Sequence, residues 1–157
     1  MEQYTKKVMQ HFLKPKNAGE IKNPDGVGKL ANETCGDVMV VYIKVGKKKI
    51  KSNLREYIKD AKFKTLGCPA ALASSDVLCE LVKGKTLEEA EKIDNNAIVS
   101  KLGGLPFIKV HCSVMGARTL KEAIKDYKKK KKEGIKMCNP CECKPDCNCC
   151  DCNKCKC

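Results

Sequence analysis

The sequence has no tryptophan, and aromatic residues make up only 4% of its 157 positions. Of its 32 basic residues only Arg55 and Arg118 are arginine. Proteins that grip nucleic acid lean on arginine forks and aromatic platforms. The formal charge of +13 therefore reads as a solvated lysine surface, able to draw an acidic protein partner, with no nucleic acid expected. No run approaches the ~20 apolar residues of a membrane-spanning helix, so no membrane is expected either. The opening Met1-Glu2-Gln3-Tyr4-Thr5 lacks the basic patch and apolar run of a secretory signal. These absences predict a cytoplasmic, reducing location. Histidine is scarce as well: His11 and His111 are the only two.

Cysteine is in excess, with 13 residues. In a reducing compartment that abundance points to metal or redox chemistry rather than a disulfide framework. Four of the cysteines are spread over the body and nine crowd residues 138–157. The chain divides accordingly into a body over residues 1–127, a lysine-rich linker over 128–137 and a cysteine-rich tail over 138–157.

The body predicts an α+β fold. Tyr4, Val8 and Phe12 recur at helical spacing and predict a helix over 2–13, ended by Lys14-Pro15; His11 near its end reads as a surface residue. Asn23-Pro24-Asp25-Gly26 and Gly28 are turn chemistry. A first strand is expected from Leu30 to Cys35. A second, rich in β-branched residues, covers 38–45 and ends in a turn at Gly46-Lys47-Lys48-Lys49. A third covers 58–66. Short connections make the three an antiparallel meander packed against helices. Gly67-Cys68-Pro69 then switches strand to helix, with Pro69 at the first helical position and Gly84 as the stop. Thr86-Leu87-Glu88-Glu89 is a capping box, Asp94 caps a further helix ending at Gly103-Gly104, and Ser113 is placed to cap a last one with the stripe Val114, Ala117, Leu120, Ile124 and Tyr127.

Three stretches carry chemistry. Cys35 and Asp37 flank Gly36, which can turn the backbone or let it approach an ion. Cys68 lies at a helix N-terminus, where the dipole favours a thiolate. His111 and Cys112 sit together before the last helix. The set of three thiolates, one carboxylate and one imidazole suits zinc or an iron–sulfur cluster. A permanently held cluster would use four thiolates, so the mixed set predicts a cluster that can leave. Cys79, about 16 Å along the helix from Cys68 at ~1.5 Å per residue, reads as core. A hydrolase or transferase built on His111 and Cys112 is disfavoured, because neighbours in sequence rarely place a base against a nucleophile.

The body resembles the IscU/NifU-type iron–sulfur cluster assembly scaffolds. The resemblance is carried by Thr34-Cys35-Gly36-Asp37-Val38-Met39, Asp60-Ala61-Lys62-Phe63-Lys64-Thr65-Leu66-Gly67-Cys68, Ala73-Ser74-Ser75, Val82-Lys83-Gly84-Lys85-Thr86-Leu87 and His111-Cys112-Ser113-Val114-Met115-Gly116. It implies a small three-stranded sheet under helices. It also implies a non-enzymatic scaffold that takes iron, accepts sulfur from a cysteine desulfurase or other sulfur donor, builds a transient 2Fe–2S cluster and hands it to apo iron–sulfur proteins. Cys35, Cys68 and Cys112 match the family's cluster cysteines, Asp37 the acidic residue tied to cluster release, His111 the alternative ligand, and Cys112 the persulfide acceptor. Zinc can hold the same site when no cluster is present. Leu105-Pro106-Phe107-Ile108-Lys109 departs from the family's Leu-Pro-Pro-Val-Lys, which argues against docking of an Hsp70-type chaperone.

The tail places Cys138, Cys141, Cys143, Cys147, Cys149, Cys150, Cys152, Cys155 and Cys157 in Cys-x-Cys, Cys-Cys and Cys-x-x-Cys spacings. The pattern is similar to that of metallothioneins and predicts zinc or copper(I) binding. With turn residues between the cysteines and nothing to build a core, it should be ordered only by metal. The alternative function is metal storage or detoxification through this tail.

Overall fold

The protein is described by a computed structural model covering residues 4–50 and 53–133. The cysteine-rich tail expected over 138–157 lies outside the described residues.

The meander is present in the order β1-β2-β3, formed by β1 (Gly26–Ala31), β2 (Val38–Ile50) and β3 (Asn53–Leu66). Its register puts Ala31 opposite Val38 and Val38 opposite Leu66. Three strand ends therefore meet at one end of the sheet, and the loops carrying Cys35, Asp37 and Cys68 leave from there. Met39, Val41 and Ile43 alternate along β2 into the core and meet Ala61 and Phe63 of β3, all buried. That is the period-2 pattern of a sheet with one packed face. The outer edge of β3 is covered at Phe63 by residues 17–19: Gly19 donates its N–H to the Phe63 carbonyl (2.9 Å) and Phe63 donates to the Asn17 carbonyl (3.0 Å).

Two strands differ from their expected bounds. The first runs Gly26–Ala31, four residues earlier than expected, and Cys35 falls in the following loop. Gly26 and Gly28 act through their missing side chains. A Cβ on Gly28 would stand 2.1 Å from the Thr119 carbonyl oxygen, and one on Gly26 would stand 2.3 Å from that of Ala123. The last helix lies directly on β1, and only glycine admits that approach. In β2, the Gly46-Lys47-Lys48-Lys49 stretch is strand and not a turn. It pairs onward with β3, setting Lys47 opposite Glu56, and a Cβ on Gly46 would meet the Tyr57 ring at 2.9 Å. A lysine run reads as a turn when its partner strand is unknown; here the ladder carries on through Lys48 opposite Arg55 and Lys49 opposite Leu54, with opposite charge only at the Lys47–Glu56 pair.

The helices pack on the inner face. α1 (Lys6–Leu13) starts four residues later than expected because Thr5 caps it, accepting from the Val8 N–H. α2 (Pro69–Val82) is the central helix and is buried along most of its length. It opens at Pro69, and Gly84 follows its end at φ +80°. α3 (Leu87–Glu91) carries the reciprocal capping box of Thr86 and Glu89, and α4 (Asn95–Lys101) is capped by Asp94. α5 (Val110–Lys132) begins three residues before the expected Ser113 cap. A 3-10 turn over Phe107–Lys109 leads straight into it, and Ser113 instead donates its hydroxyl to the Val110 carbonyl at 2.6 Å. α5 also continues through the first five residues of the expected linker. Ion pairs hold its lysines there: Lys128 with Glu91 (2.5 Å), Lys130 with Asp126 (2.7 Å) and Lys131 with Glu56 (2.5 Å). No helix among the described residues is long and apolar enough to cross a membrane.

His11 is not a free surface residue. Its Nδ1 lies 2.6 Å from Oδ2 of the fully buried Asp76. Oδ1 of the same carboxylate accepts from the backbone N–H groups of Lys16 (3.0 Å) and Asn17 (2.8 Å) and from Nδ2 of Asn17 (2.9 Å). Asp76 thus ties α1 and the segment after it to α2. Glu80, whose carboxylate with His11 and Asp76 makes a three-residue group within 4.8 Å, is paired with Lys16 and Lys101. Each acidic group in that cluster is already matched by protein donors or cations, so it serves the fold.

Candidate metal centre

Asp37 is the hinge of the site. Its ligand oxygen falls within 4.8 Å of Cys68 and Cys112 in one group, and within 4.8 Å of Cys35 and His111 in another. All five residues singled out in the body therefore come together at the end of the sheet where the strands terminate.

The loop over residues 32–37 sets Asp37. Asn32 donates its N–H to the Asp37 carbonyl (2.8 Å), Gly36 donates to the Asn32 carbonyl (2.8 Å), and Thr34 donates to the Asn32 side chain (3.0 Å). Gly36 closes this loop at φ +72° with nothing within 4 Å of its would-be Cβ, so its role is conformational freedom and not close approach. The turn sends Asp37 inward, 5% exposed, and leaves Cys35 in solvent. Cys68 is the N-cap residue of α2 and half-buried. Cys112 is in the first turn of α5, fully buried against Ala70 and Ala71 with Tyr4, Cys68 and Leu105 alongside. His111 precedes it and is exposed.

The inner trio has metal-site spacing. Cys68 Sγ and Cys112 Sγ are 3.7 Å apart, and Asp37 Oδ2 is 3.8 Å from the first and 3.9 Å from the second. Two thiolates bound tetrahedrally at ~2.3 Å from zinc stand about 3.8 Å apart. Burial pushes the Cys112 thiol well above its ordinary range, and the negative charge of Cys68, Asp37 and Cys35 adds to the push. A bound cation reverses the sign of that surrounding field. The electrostatic cost of gathering these donors is thus offset when a metal is present.

Gly67 is a site residue that sequence reasoning passed over. A Cβ there would lie 2.7 Å from both Cγ and Oδ1 of Asp37. The signal was available in principle, since strand pairing sets Leu66 opposite Val38, but it needs the register. Gly67→Ala is expected to displace the Asp37 carboxylate and weaken zinc binding by about 10-fold or more. Competition against a chromophoric chelator measures it; unchanged affinity would show that the carboxylate is not needed where it stands.

Cys79 is fully buried within the main core, and desolvation raises its thiol far above the ordinary range. Exposure therefore ranks the body's four thiols. In the metal-free chain, iodoacetamide is expected to label Cys35 at least tenfold faster than Cys112, with Cys79 unmodified. Peptide mapping over time reads the order, and rapid labelling of Cys112 would mean that the inner trio opens freely. On the same side, Leu105 is packed while Phe107 is 93% and Ile108 61% exposed.

A thiolate–carboxylate–imidazole set stands at the end of a small antiparallel sheet in an α+β domain, with two donors exposed, one half-buried and two buried, in a spacing that could hold a metal ion. Residues 3–134 match the model of the NifU-like N-terminal domain, and the chain belongs to that family. It is 49% identical over 127 residues to the iron–sulfur cluster assembly scaffold protein IscU 1 of Archaeoglobus fulgidus, covering 81% of this chain and 78% of that protein. It is 47% identical over 131 residues to IscU of Buchnera aphidicola, covering 82% of this chain and 97% of that one. Among solved structures, FiSufU from Fervidobacterium islandicum AW-1 superposes with a TM-score of 0.59 at 26% identity, over 77% of this chain and 96% of that chain. The N-terminal NifU-like protein of Brucella abortus, at 17% identity and a TM-score of 0.55 over 80% of this chain and 94% of that chain, shares the fold.

Proposed function

We propose that this protein is a scaffold on which iron and sulfur are assembled into a transient 2Fe–2S cluster that is then passed to apo iron–sulfur proteins. The cluster is cargo and the protein its carrier; no substrate is turned over. The observation that carries this reading is the division of the donor set by exposure. Cys112 and Asp37 are buried, Cys68 is half-buried, and Cys35 and His111 face solvent. A fully enclosed site would store a cluster. A half-open one lets iron and sulfur enter and lets a recipient's thiolates reach the iron.

In this reading Cys35, Cys68 and Cys112 are the thiolate ligands, with Asp37 and His111 sharing the remaining position. Carboxylate is harder than thiolate, so an oxygen at that position is the bond most easily exchanged. Cys112 is the persulfide acceptor. Its burial requires that the Cys35–His111 side open before a cysteine desulfurase or other sulfur donor can deliver to it. Zinc fits the inner trio when no cluster is present. The high identity to proteins named IscU supports both the sulfur-donor and the apo-protein partners.

The test is anaerobic reconstitution with ferric iron and sulfide on a full-length chain whose nine tail cysteines are serine, so that only the body can respond. The visible charge-transfer bands of a 2Fe–2S cluster are expected. They should be lost, with the far-ultraviolet circular dichroism unchanged, when Cys35, Cys68 or Cys112 is also serine. A body that forms no such bands contradicts the reading.

A further inference from the structure

We propose that the groove beside His111 binds a small zwitterionic thiol, an α-amino acid carrying a thiol group, and presents its sulfur to the metal centre as an exchangeable ligand. The proposal deepens the scaffold reading and rests on it, since the thiol meets a metal held by Cys35, Asp37, Cys68, His111 and Cys112.

The groove has a volume of about 470 Å³ and lies between the end of β1 with its following loop and the first turns of α5. Pockets for small molecules run from roughly 300 to 1,000 Å³. Leu30, Val114 and Met115 supply apolar lining, while Glu33, His111 and Arg118 supply charge and a metal-ligating group. His111 and Arg118 stand at i and i+7 of α5 with Val114 and Met115 between them, so the four share one helix face. Their separation along the axis is about 10 Å. Helical side chains point back toward the N-terminus, which carries the longer arginine toward the imidazole. His111 in turn groups with Cys35 and Asp37 within 4.8 Å. The groove therefore opens on the exposed side of the metal centre.

Its two charged groups are unmatched. The chain's other arginine, Arg55, is paired with Glu88 at 3.8 Å. Arg118 and Glu33 are exposed, and neither forms a hydrogen bond or ion pair among the described residues. A guanidinium fork matches a carboxylate through two parallel hydrogen bonds, and a carboxylate accepts from an ammonium group. A phosphate or a dicarboxylate would meet Glu33 as a like charge, and a plain amine would leave Arg118 unmatched. A zwitterion satisfies both. The third group of the ligand follows from the metal centre beside the groove: a set rich in thiolate holds a metal that takes a further soft donor.

In the bound state the carboxylate lies on Arg118, the ammonium on Glu33 and the sulfur at the position that Asp37 and His111 share. The metal stays divalent. The thiol loses its proton to solvent as the metal–sulfur bond forms, and the harder donor at that position leaves with its electron pair. The metal then has four sulfur ligands, one of which can depart when a partner's thiolate arrives.

The test uses the full-length chain with its nine tail cysteines replaced by serine, the nine-serine chain, loaded with one equivalent of Co2+. The visible bands of this ion distinguish four sulfur ligands from a mixed set. Three thiols are titrated: L-cysteine, cysteamine, which lacks the carboxylate, and 3-mercaptopropionate, which lacks the ammonium. L-cysteine is expected to convert the bands to the four-sulfur pattern with a Kd about tenfold or more below that of either analogue. Native mass spectrometry should find chain, metal and thiol together. Arg118→Ala should erase the advantage over cysteamine alone, and Glu33→Gln the advantage over 3-mercaptopropionate alone. Equal affinity for the three thiols, discrimination unchanged by both substitutions, or Co2+ stripped into solution overturns the groove site and leaves the metal centre standing. A chain that shows no sulfur–cobalt bands before any thiol is added overturns the metal centre itself, and the proposal with it.

Discussion

Replacing Asp37 with alanine is expected to lengthen the life of a reconstituted cluster in the presence of a chelator by tenfold or more. The carboxylate oxygen stands 3.8–3.9 Å from the sulfurs of Cys68 and Cys112 in a pocket that leaves Asp37 5% exposed. It places a negative charge beside two thiolates, and that charge is poorly screened by water. It also offers iron a hard oxygen, the weakest of the available bonds for this metal. In the proposed ligand set, loss of Asp37 would leave the fourth position to His111, which groups with Asp37 and Cys35 within 4.8 Å. Imidazole is neutral and softer, so repulsion drops and the easily exchanged bond disappears. The readout is the decay of visible absorbance after a chelator is added to otherwise equal samples of the two proteins. A cluster that decays faster in the variant would mean that Asp37 holds the cluster rather than releases it.

Asp76→Ala is expected to cost about 3–5 kcal/mol of folding stability while leaving the metal centre's ligands in place. The buried carboxylate takes hydrogen bonds from the Lys16 and Asn17 backbone, from Asn17 Nδ2 and from His11. Removing it strands several buried donors at once, each costing about 1–3 kcal/mol when unsatisfied. Asp76→Asn keeps one oxygen and should cost less than half as much. Denaturant midpoints with an unchanged slope measure the difference. A loss under ~1 kcal/mol for the alanine variant would show that water replaces the carboxylate there.

These two aspartates show what can be read in a sequence. Asp37 was legible because its neighbours Cys35 and Gly36 make a pattern with a chemical meaning, and because Cys68 and Cys112 recur at other element edges. Asp76 was not, since its partners lie about 60 residues away and nothing around it in sequence separates a buried carboxylate from an exposed one. Local rules located Pro69, the Thr86–Glu89 capping box, the Asp94 cap and Gly84, because each is a contact between residues close in the chain. The same rules failed at Ser113, a plausible cap that the 3-10 turn makes unnecessary, and at Lys47-Lys48-Lys49, whose strand conformation depends on Glu56 and its neighbours across the hairpin. Local sequence marks Gly28 and Gly67 as turn and switch residues. Both prove to be sites where another part of the chain fills the space of a side chain, Thr119 in one case and Asp37 in the other. Steric exclusion of that kind is a tertiary fact with no local trace.

In the proposed scaffold role the five-donor site of the body builds a cluster in order to release it. The most direct test loads the nine-serine chain with a 2Fe–2S cluster under anaerobic conditions, mixes it with apo-ferredoxin, and follows the ferredoxin's circular dichroism. Transfer is expected within minutes, with the chain recovered in its apo form. A cluster that stays on the chain for hours while the ferredoxin remains apo would contradict it.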